Sequence, residues 1–357
     1  MLFSLELCMN GKTLLGIGMG RGGRVEILAV AGLYVAGVLG AGFASGQELV
    51  VFFVNFGWAG FVGIFLTIAI LTYSVVAVLE LCHRQGVSSY ENLFVHLQIR
   101  GALWFDLVYT AFLLVGVSVM LAGMGAMGGF VRLIGVILVF AVLQRGSASV
   151  LKISGPLAIV MVVVLVAMSL GQPQTEDITL PNTGSWRGLE AAILYASYNV
   201  GFSMAVLASV HKVLKNSKQR WGVALVGNLI LGTLLLLLYF RLSGLTAEQL
   251  TYDFPLENLA TMRGPLMVKT YRLMLWVAMY TTALANSLSL VTRITQSGRF
   301  GWSFVSVVVL LIATGLSYFG FSTLVRIAYP LLGLAGLWLL SSLLVQRWIA
   351  PPKFQSH

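Results

Sequence analysis

Long windows without a single Asp, Glu, Lys or Arg recur along this chain, among them Ile27 to Gln47, Leu49 to Leu79, Leu107 to Val131, Ile153 to Thr175 and Phe300 to Val325. Each is long enough to cross a bilayer as a helix, which takes about 20 apolar residues. Of the 357 residues, 58% are hydrophobic and 10% charged, and the mean hydropathy is +0.92. Soluble domains carry about 45–50% apolar and about 25% charged residues, so a water-soluble fold is excluded. The formal charge of +10 would suggest nucleic-acid binding in a soluble protein. Here the basic residues sit in short segments between apolar runs, where they report membrane orientation, and no nucleic-acid partner is expected.

Apolar runs bounded by charge or turn signals predict ten spans, at 26–55, 59–82, 101–124, 127–144, 150–170, 188–210, 221–242, 269–291, 301–318 and 322–347. An even number of spans puts both termini on one side. Placing them in the cytoplasm leaves 15 of the 22 basic residues inside, all but Arg132, Arg187, Arg241, Arg263, Lys269, Arg272 and Arg326. The predicted organisation is a cytoplasmic N-terminal segment at 1–25, one membrane domain at 26–348 and a cytoplasmic tail at 349–357. The bilayer is therefore an expected partner, and the expected location is a bacterial inner membrane. Val87 to Leu97 inside and Gly244 to Leu266 outside are expected to form short surface helices. The first apolar stretch carries Glu6 and Lys12 and lacks a convincing cleavage site, which argues against a secretory signal. Translation from Met19 would give a compact basic N-terminus leading into the first span, a hypothesis that N-terminal mass spectrometry tests. Cys8 and Cys82 have no metal-ligand or redox spacing.

Three spans depart from plain apolar helices. The first is about 45 Å long at 1.5 Å per residue, more than the hydrocarbon core needs, so it must tilt, bend or break. The break is expected in Gly40-Ala41-Gly42-Phe43-Ala44-Ser45-Gly46-Gln47-Glu48. Unwound backbone at membrane depth survives only where protein buries it or it lines a cavity; the competing reading is a small-residue packing face through Gly42 and Gly46. In the sixth span, Tyr195-Ala196-Ser197-Tyr198-Asn199-Val200-Gly201-Phe202-Ser203 lies near the midplane, as a second interruption or as interhelical glue. Interrupted spans at the first position of each half are what an inverted-repeat transporter requires. The eighth span holds adjacent Thr281 and Thr282, whose hydroxyls suit a small hard cation or simply bond the preceding turn.

The first-span string with Phe52-Phe53, together with Tyr198-Asn199 and its flanks, resembles the YkvI-like family of bacterial membrane proteins. The resemblance covers nearly all of the chain after Arg24. It implies the amino acid/polyamine/organocation superfamily and an all-α fold of ten transmembrane helices in a LeuT-type five-plus-five inverted repeat, with helices one and six broken. It further implies a substrate site at Gly42, Phe43, Ala44, Ser45, Gly46, Ser197, Tyr198 and Asn199, with Tyr109 as a further contact. By the same likeness, Val38, Ala41, Ala278, Thr281 and Thr282 match a sodium site between spans one and eight. Glu48 and Arg326 would form an outer gating ion pair, with signs reversed relative to LeuT-type proteins. Glu48 as a helix N-terminal cap is the alternative.

Asp106 and Glu80 lie towards the inner ends of their spans, where each can reach water or a basic loop residue in a structural or interfacial role; Asp106 is the residue to examine first as a proton relay if transport is proton-driven. His83, His96, His211 and His357 make no ligand pair, and no GxSxG, HExxH, Walker or paired-carboxylate motif occurs. No enzyme activity and no cofactor are expected beyond a coupling sodium ion or proton. The expected function is secondary transport of a small organic solute, an amino acid or related amine, by alternating access. A non-transporting receptor of the same fold that binds an amino acid is the alternative.

Overall fold

The structure is a computed structural model that describes residues 23–86, 102–145, 151–170, 186–295, 298 and 300–349. The expected N-terminal segment as far as residue 22, the inner surface helix at 87–97, the tail beyond Ile349 and the side chains of Asp106 and Tyr109 lie outside the described residues.

The first apolar run is divided into α1 (Gly23–Val38), α2 (Ala41–Ser45) and α3 (Gln47–Phe52), followed by a 3-10 turn at Val54–Phe56. Next come α4 (Gly57–Gln85), α5 (Ala102–Met127), α6 (Gly129–Gln144), α7 (Leu151–Ser169), α8 (Arg187–Val210) and α9 (Ser217–Ser243). The loop at 244–266, called the outer loop after its expected side, folds into α10 (Ala247–Leu250) and α11 (Glu257–Thr261), and the chain continues through α12 (Pro265–Thr295), α13 (Trp302–Ser317) and α14 (Phe321–Ile349). Every described element is helical or turn, as hydrocarbon requires of a chain that must satisfy its own backbone.

Among the described residues, six stretches are long and apolar enough to cross a membrane by length and composition: Gln47–Gln85, Thr110–Met127, Arg187–Ala208, Ser217–Ser243, Pro265–Thr295 and Phe321–Leu343. Gly129–Gln144, Ile159–Ser169 and Trp302–Ser317 are apolar but shorter. The helices are apolar on both faces. Leu71, Leu207, Leu238 and Leu275 are buried between them, while Phe130, Ile159, Leu229, Leu311 and Leu331 point outward. A helix apolar all round needs either a large core or a lipid surface, and outward leucines of this kind belong in lipid.

Two groups of helices meet around the first run. In one, α8 packs on α4, α1 and α14, and α9 packs on α4 and α1; in the other, α5 packs on α6, α12, α13 and α14, and α12 packs on α6, α7 and α13. Number the ten runs in order and exchange the first five with the last five: each of these pairings has a counterpart. The pair α8 and α4 maps onto α1 and α9, α5 and α13 onto α12 and α6, and α8 and α14 onto α1 and α7.

Close approach is made possible by missing side chains. A Cβ on Gly336 of α14 would run into the Ser197 carbonyl of α8, and one on Gly333 would lie 2.8 Å from Leu194 Cβ, so α14 rests on the backbone of α8. Between α1 and α9, the buried Tyr34 hydroxyl donates to Asn228 Oδ1 at 2.9 Å. Arg132, one of the basic residues the inner count leaves over, covers the Tyr318 ring at 3.9 Å and donates to the Ser317 hydroxyl at 3.0 Å.

Candidate functional site

The break in the first run is built from three local events. After Val38 the helix stops: Gly40 N–H turns back to the Val38 carbonyl at 2.8 Å, and Gly40 is extended at φ −81°, ψ 177°. One helical turn, Ala41 to Ser45, follows. Gly46 at φ 89° then separates it from α3, in a conformation that glycine adopts without cost and other L-residues avoid. Ser45 bridges the second break, its hydroxyl donating to the Gly42 carbonyl at 2.8 Å and accepting from Gln47 N–H at 3.2 Å.

The carbonyls that the break takes out of the helix ladder find partners from elsewhere. Tyr271 of α12 donates its hydroxyl to the Ala44 carbonyl at 3.1 Å, and the Leu256 N–H of the outer loop donates to the Ser45 carbonyl at 3.2 Å. Gln47 donates its side-chain amide to the Tyr252 carbonyl of the same loop. Residues 41 to 50 are all buried. Irregular backbone in this run is therefore enclosed by protein, the condition for its survival at membrane depth.

Glu48, in the first turn of α3, is 3% exposed. Its carboxyl folds back against Gly42, where a Cβ would collide with Oε1, and it accepts from the Tyr198 hydroxyl at 2.6 Å. Around this contact stands an aromatic cluster from four elements. The Tyr198 ring lies 5.3 Å from Tyr195, 5.7 Å from Phe52, 5.4 Å from Tyr329 of α14 and 6.0 Å from Phe202, and Phe202 lies 4.4 Å from Phe112 of α5. The Tyr195 hydroxyl is buried without a hydrogen-bond partner.

One expectation is overturned. The sixth run is not broken: α8 is a continuous helix from Arg187 to Val210 through the whole polar string. Ser197 donates to the Ile193 carbonyl at 2.7 Å, Asn199 to the Tyr195 carbonyl at 2.9 Å and Ser203 to the Val200 carbonyl at 3.1 Å. These side chains bond their own preceding turn and so need no unwound backbone, and Gly201 alone is too little to interrupt a packed helix.

Of the substrate-site residues read from sequence, Gly42 through Gly46 and Ser197 through Asn199 are buried, and Tyr198 reaches the first run through Glu48. In the cation set, Val38, Ala41, Ala278 and Thr281 are buried and α2 packs on α12. The Thr281 hydroxyl donates to the Val277 carbonyl at 3.0 Å and the Ala278 carbonyl at 3.1 Å, both in its own helix; Thr282 is half-buried. Glu48 and Arg326 are not brought together: Arg326 is exposed, while Glu48 faces Tyr198. Tyr329 belongs to the cluster and was missed, because a tyrosine before Pro330 in an apolar run gives no sign of which way it faces.

At the opposite end of the run, Arg220 at the start of α9 meets Glu80 near the end of α4 at 2.9 Å, and Ser217 donates to the same carboxylate oxygen at 2.7 Å. Gln219 donates to Glu26 of α1 at 2.9 Å. His211, in the 3-10 turn after α8, is held below its ordinary pKa by burial, against the Ala208 carbonyl 2.8 Å from its Nδ1 and with Lys212 and His83 adding to the depression. Hydrogen bonds and an ion pair thus tie α1, α4 and α9 together at this end.

No protein-family model matches the sequence. The chain is similar to the uncharacterized membrane protein YkvI of Bacillus subtilis (strain 168), 26% identical over 333 residues that span 89% of this chain and 95% of that protein. It is also similar to the uncharacterized protein YyaD of the same organism, 24% identical over 325 residues spanning 88% of this chain and 94% of that one. Homology to a membrane protein over most of the length, together with the apolar helices, makes this a multi-pass membrane protein.

Proposed function

We propose that the chain is a secondary transporter of a small organic solute, an amino acid or related amine, working by alternating access in the bacterial inner membrane. The observation that carries this reading is the doubly broken first run, buried at Gly42 to Ser45 and faced by Tyr198 of α8. A plain structural helix gains nothing from such breaks, each of which gives up helical hydrogen bonds. A solute site needs backbone groups free of the ladder.

The exchange of pairings between the first and last five runs supports a five-plus-five repeat of ten spanning helices, the LeuT-type arrangement of the amino acid/polyamine/organocation superfamily. In this reading both termini are cytoplasmic, the Arg220–Glu80 pair closes the inner end, and the outer loop closes the other. Val38, Ala41, Ala278, Thr281 and Thr282 stand as the candidate sodium site; to bind the ion there, the Thr281 hydroxyl would have to leave the Val277 and Ala278 carbonyls of its own helix and turn towards α2. Solute counterflow in proteoliposomes, with a panel of amino acids and amines, is the test. Exchange of at least one solute supports transport; saturable binding without exchange favours the receptor.

A further inference from the structure

We propose that Glu48 is a proton-binding site inside the membrane, protonated while α3 is folded onto α8 and deprotonated when the two part. This deepens the transporter reading, on which it rests, by naming a coupling ion and the group that carries it.

Glu48 is a carboxyl group shut away from water at 3% exposure and pressed on the backbone of Gly42. Its hydrogen-bond partner is a neutral phenol, Tyr198, at 2.6 Å. The groups that face it are likewise neutral: Tyr195 and Tyr198 from α8 and Tyr329 from α14, while Tyr239 of α9 spends its hydroxyl on the Gly57 carbonyl at 2.6 Å. Neither α2 nor the 3-10 turn after α3 carries a titratable side chain. Among the described residues no Lys, Arg or His pairs with Glu48; Arg326, the basic residue of α14 nearest in sequence to Tyr329, is exposed.

An ionised carboxylate without a cation is among the costliest groups to bury, and one phenol does not replace the water it gives up. A neutral carboxylic acid removes that cost. A metal ion is the poorer fit, because among the described residues no group of three or more Asp, Glu, His or Cys side chains is gathered around Glu48 to hold one. The step balances simply. One proton from water binds a Glu48 oxygen, the charge goes from −1 to 0, and no covalent bond to carbon changes. The same proton returns to water when the carboxyl is exposed.

Two features join this proton to conformation. Glu48 lies two residues after Gly46, the positive-φ joint between α2 and α3, so a rotation there lifts the carboxyl from Gly42 and Tyr198 together. Tyr195, buried in the same cluster with its ring 5.3 Å from that of Tyr198, is a second neutral group of α8 from which the carboxyl withdraws when the two helices part.

Infrared difference spectroscopy of the full chain in lipid vesicles, between acid and alkaline buffer, tests the site with the proton itself as probe. With the more acid buffer kept at about pH 6, where solvated carboxylates are already ionised, a protonated-carboxyl carbonyl band is expected in wild type and absent in Glu48→Gln. In Tyr198→Phe, which keeps the ring and removes the donor, the band should shift to higher frequency. The shift remains readable if Glu48→Gln folds poorly. A band that survives in folded Glu48→Gln, is missing from wild type, or does not move in Tyr198→Phe would overturn the proposal. Solute exchange found alongside any of these negative results would leave the transporter reading standing. A Glu48 band without exchange of any solute would do the reverse.

Discussion

Gly42 and Glu48 share one volume: the glutamate carboxyl occupies the place where a side chain on residue 42 would begin. The contact joins α3 to α2, and the other oxygen of the same carboxyl accepts from the Tyr198 hydroxyl. A methyl group at position 42 must displace the carboxyl, and the cost of overpacking a filled core is typically ~1–3 kcal/mol. Gly42→Ala is therefore expected to lower the thermal stability of the purified protein. Adding Glu48→Ala should relieve most of that loss, because the clash has gone. A double-mutant cycle on unfolding temperature measures this; additive effects would contradict the contact.

The Arg220–Glu80 pair is largely buried on the arginine side and partly exposed on the glutamate side, at 6% and 20% of their side-chain surfaces. Removing one partner leaves the other desolvated without compensation. Arg220→Gln is expected to destabilise by ~1–3 kcal/mol, and Ser217→Ala, which deletes a neutral donor to the same oxygen, by ~1 kcal/mol or less. Thermal unfolding in detergent gives the comparison. Equal effects would mean that the ion pair adds nothing to the hydrogen bonds.

Lys215, in the connection between α8 and α9, is expected on the cytoplasmic side together with Lys212 and Lys218. A cysteine placed there, with both native cysteines replaced, should resist an impermeant maleimide in intact cells and react after permeabilisation. Labelling in intact cells would invert the topology.

The candidate sodium site requires the Thr281 hydroxyl to leave the Val277 and Ala278 carbonyls. Thr281→Val keeps the shape and removes the oxygen. Wild type is expected to unfold at a higher temperature in sodium than in choline, and the variant to unfold equally in both, since an ion that binds the native state raises its stability. A sodium effect that persists in Thr281→Val would remove this residue from the site.

The helices were legible because charge-free windows leave a chain in lipid few options, and each predicted run after the first lies on a single described helix. The break in the first run was legible from its glycines. The sixth run was misread because Ser197 and Asn199 look alike in sequence whether they free the backbone or bond the turn before them. Glu48 was expected to face outward towards Arg326, since nothing local says that the turn at Gly46 swings α3 inward. That direction is set by α14, α8 and the outer loop packing against it, contacts that lie about 150 to 280 residues away in sequence.

The Leu256 N–H bond to the Ser45 carbonyl joins two main chains and owes nothing to either side chain's chemistry. Drift in the outer loop can change every side chain there and leave that link intact, provided an amide hydrogen stays at position 256. The latch is thus written in backbone rather than in residue identity, and a comparison of related sequences would not reveal it. Proline is the one coded substitution at position 256 that deletes this bond at a stroke, because it alone brings no amide hydrogen.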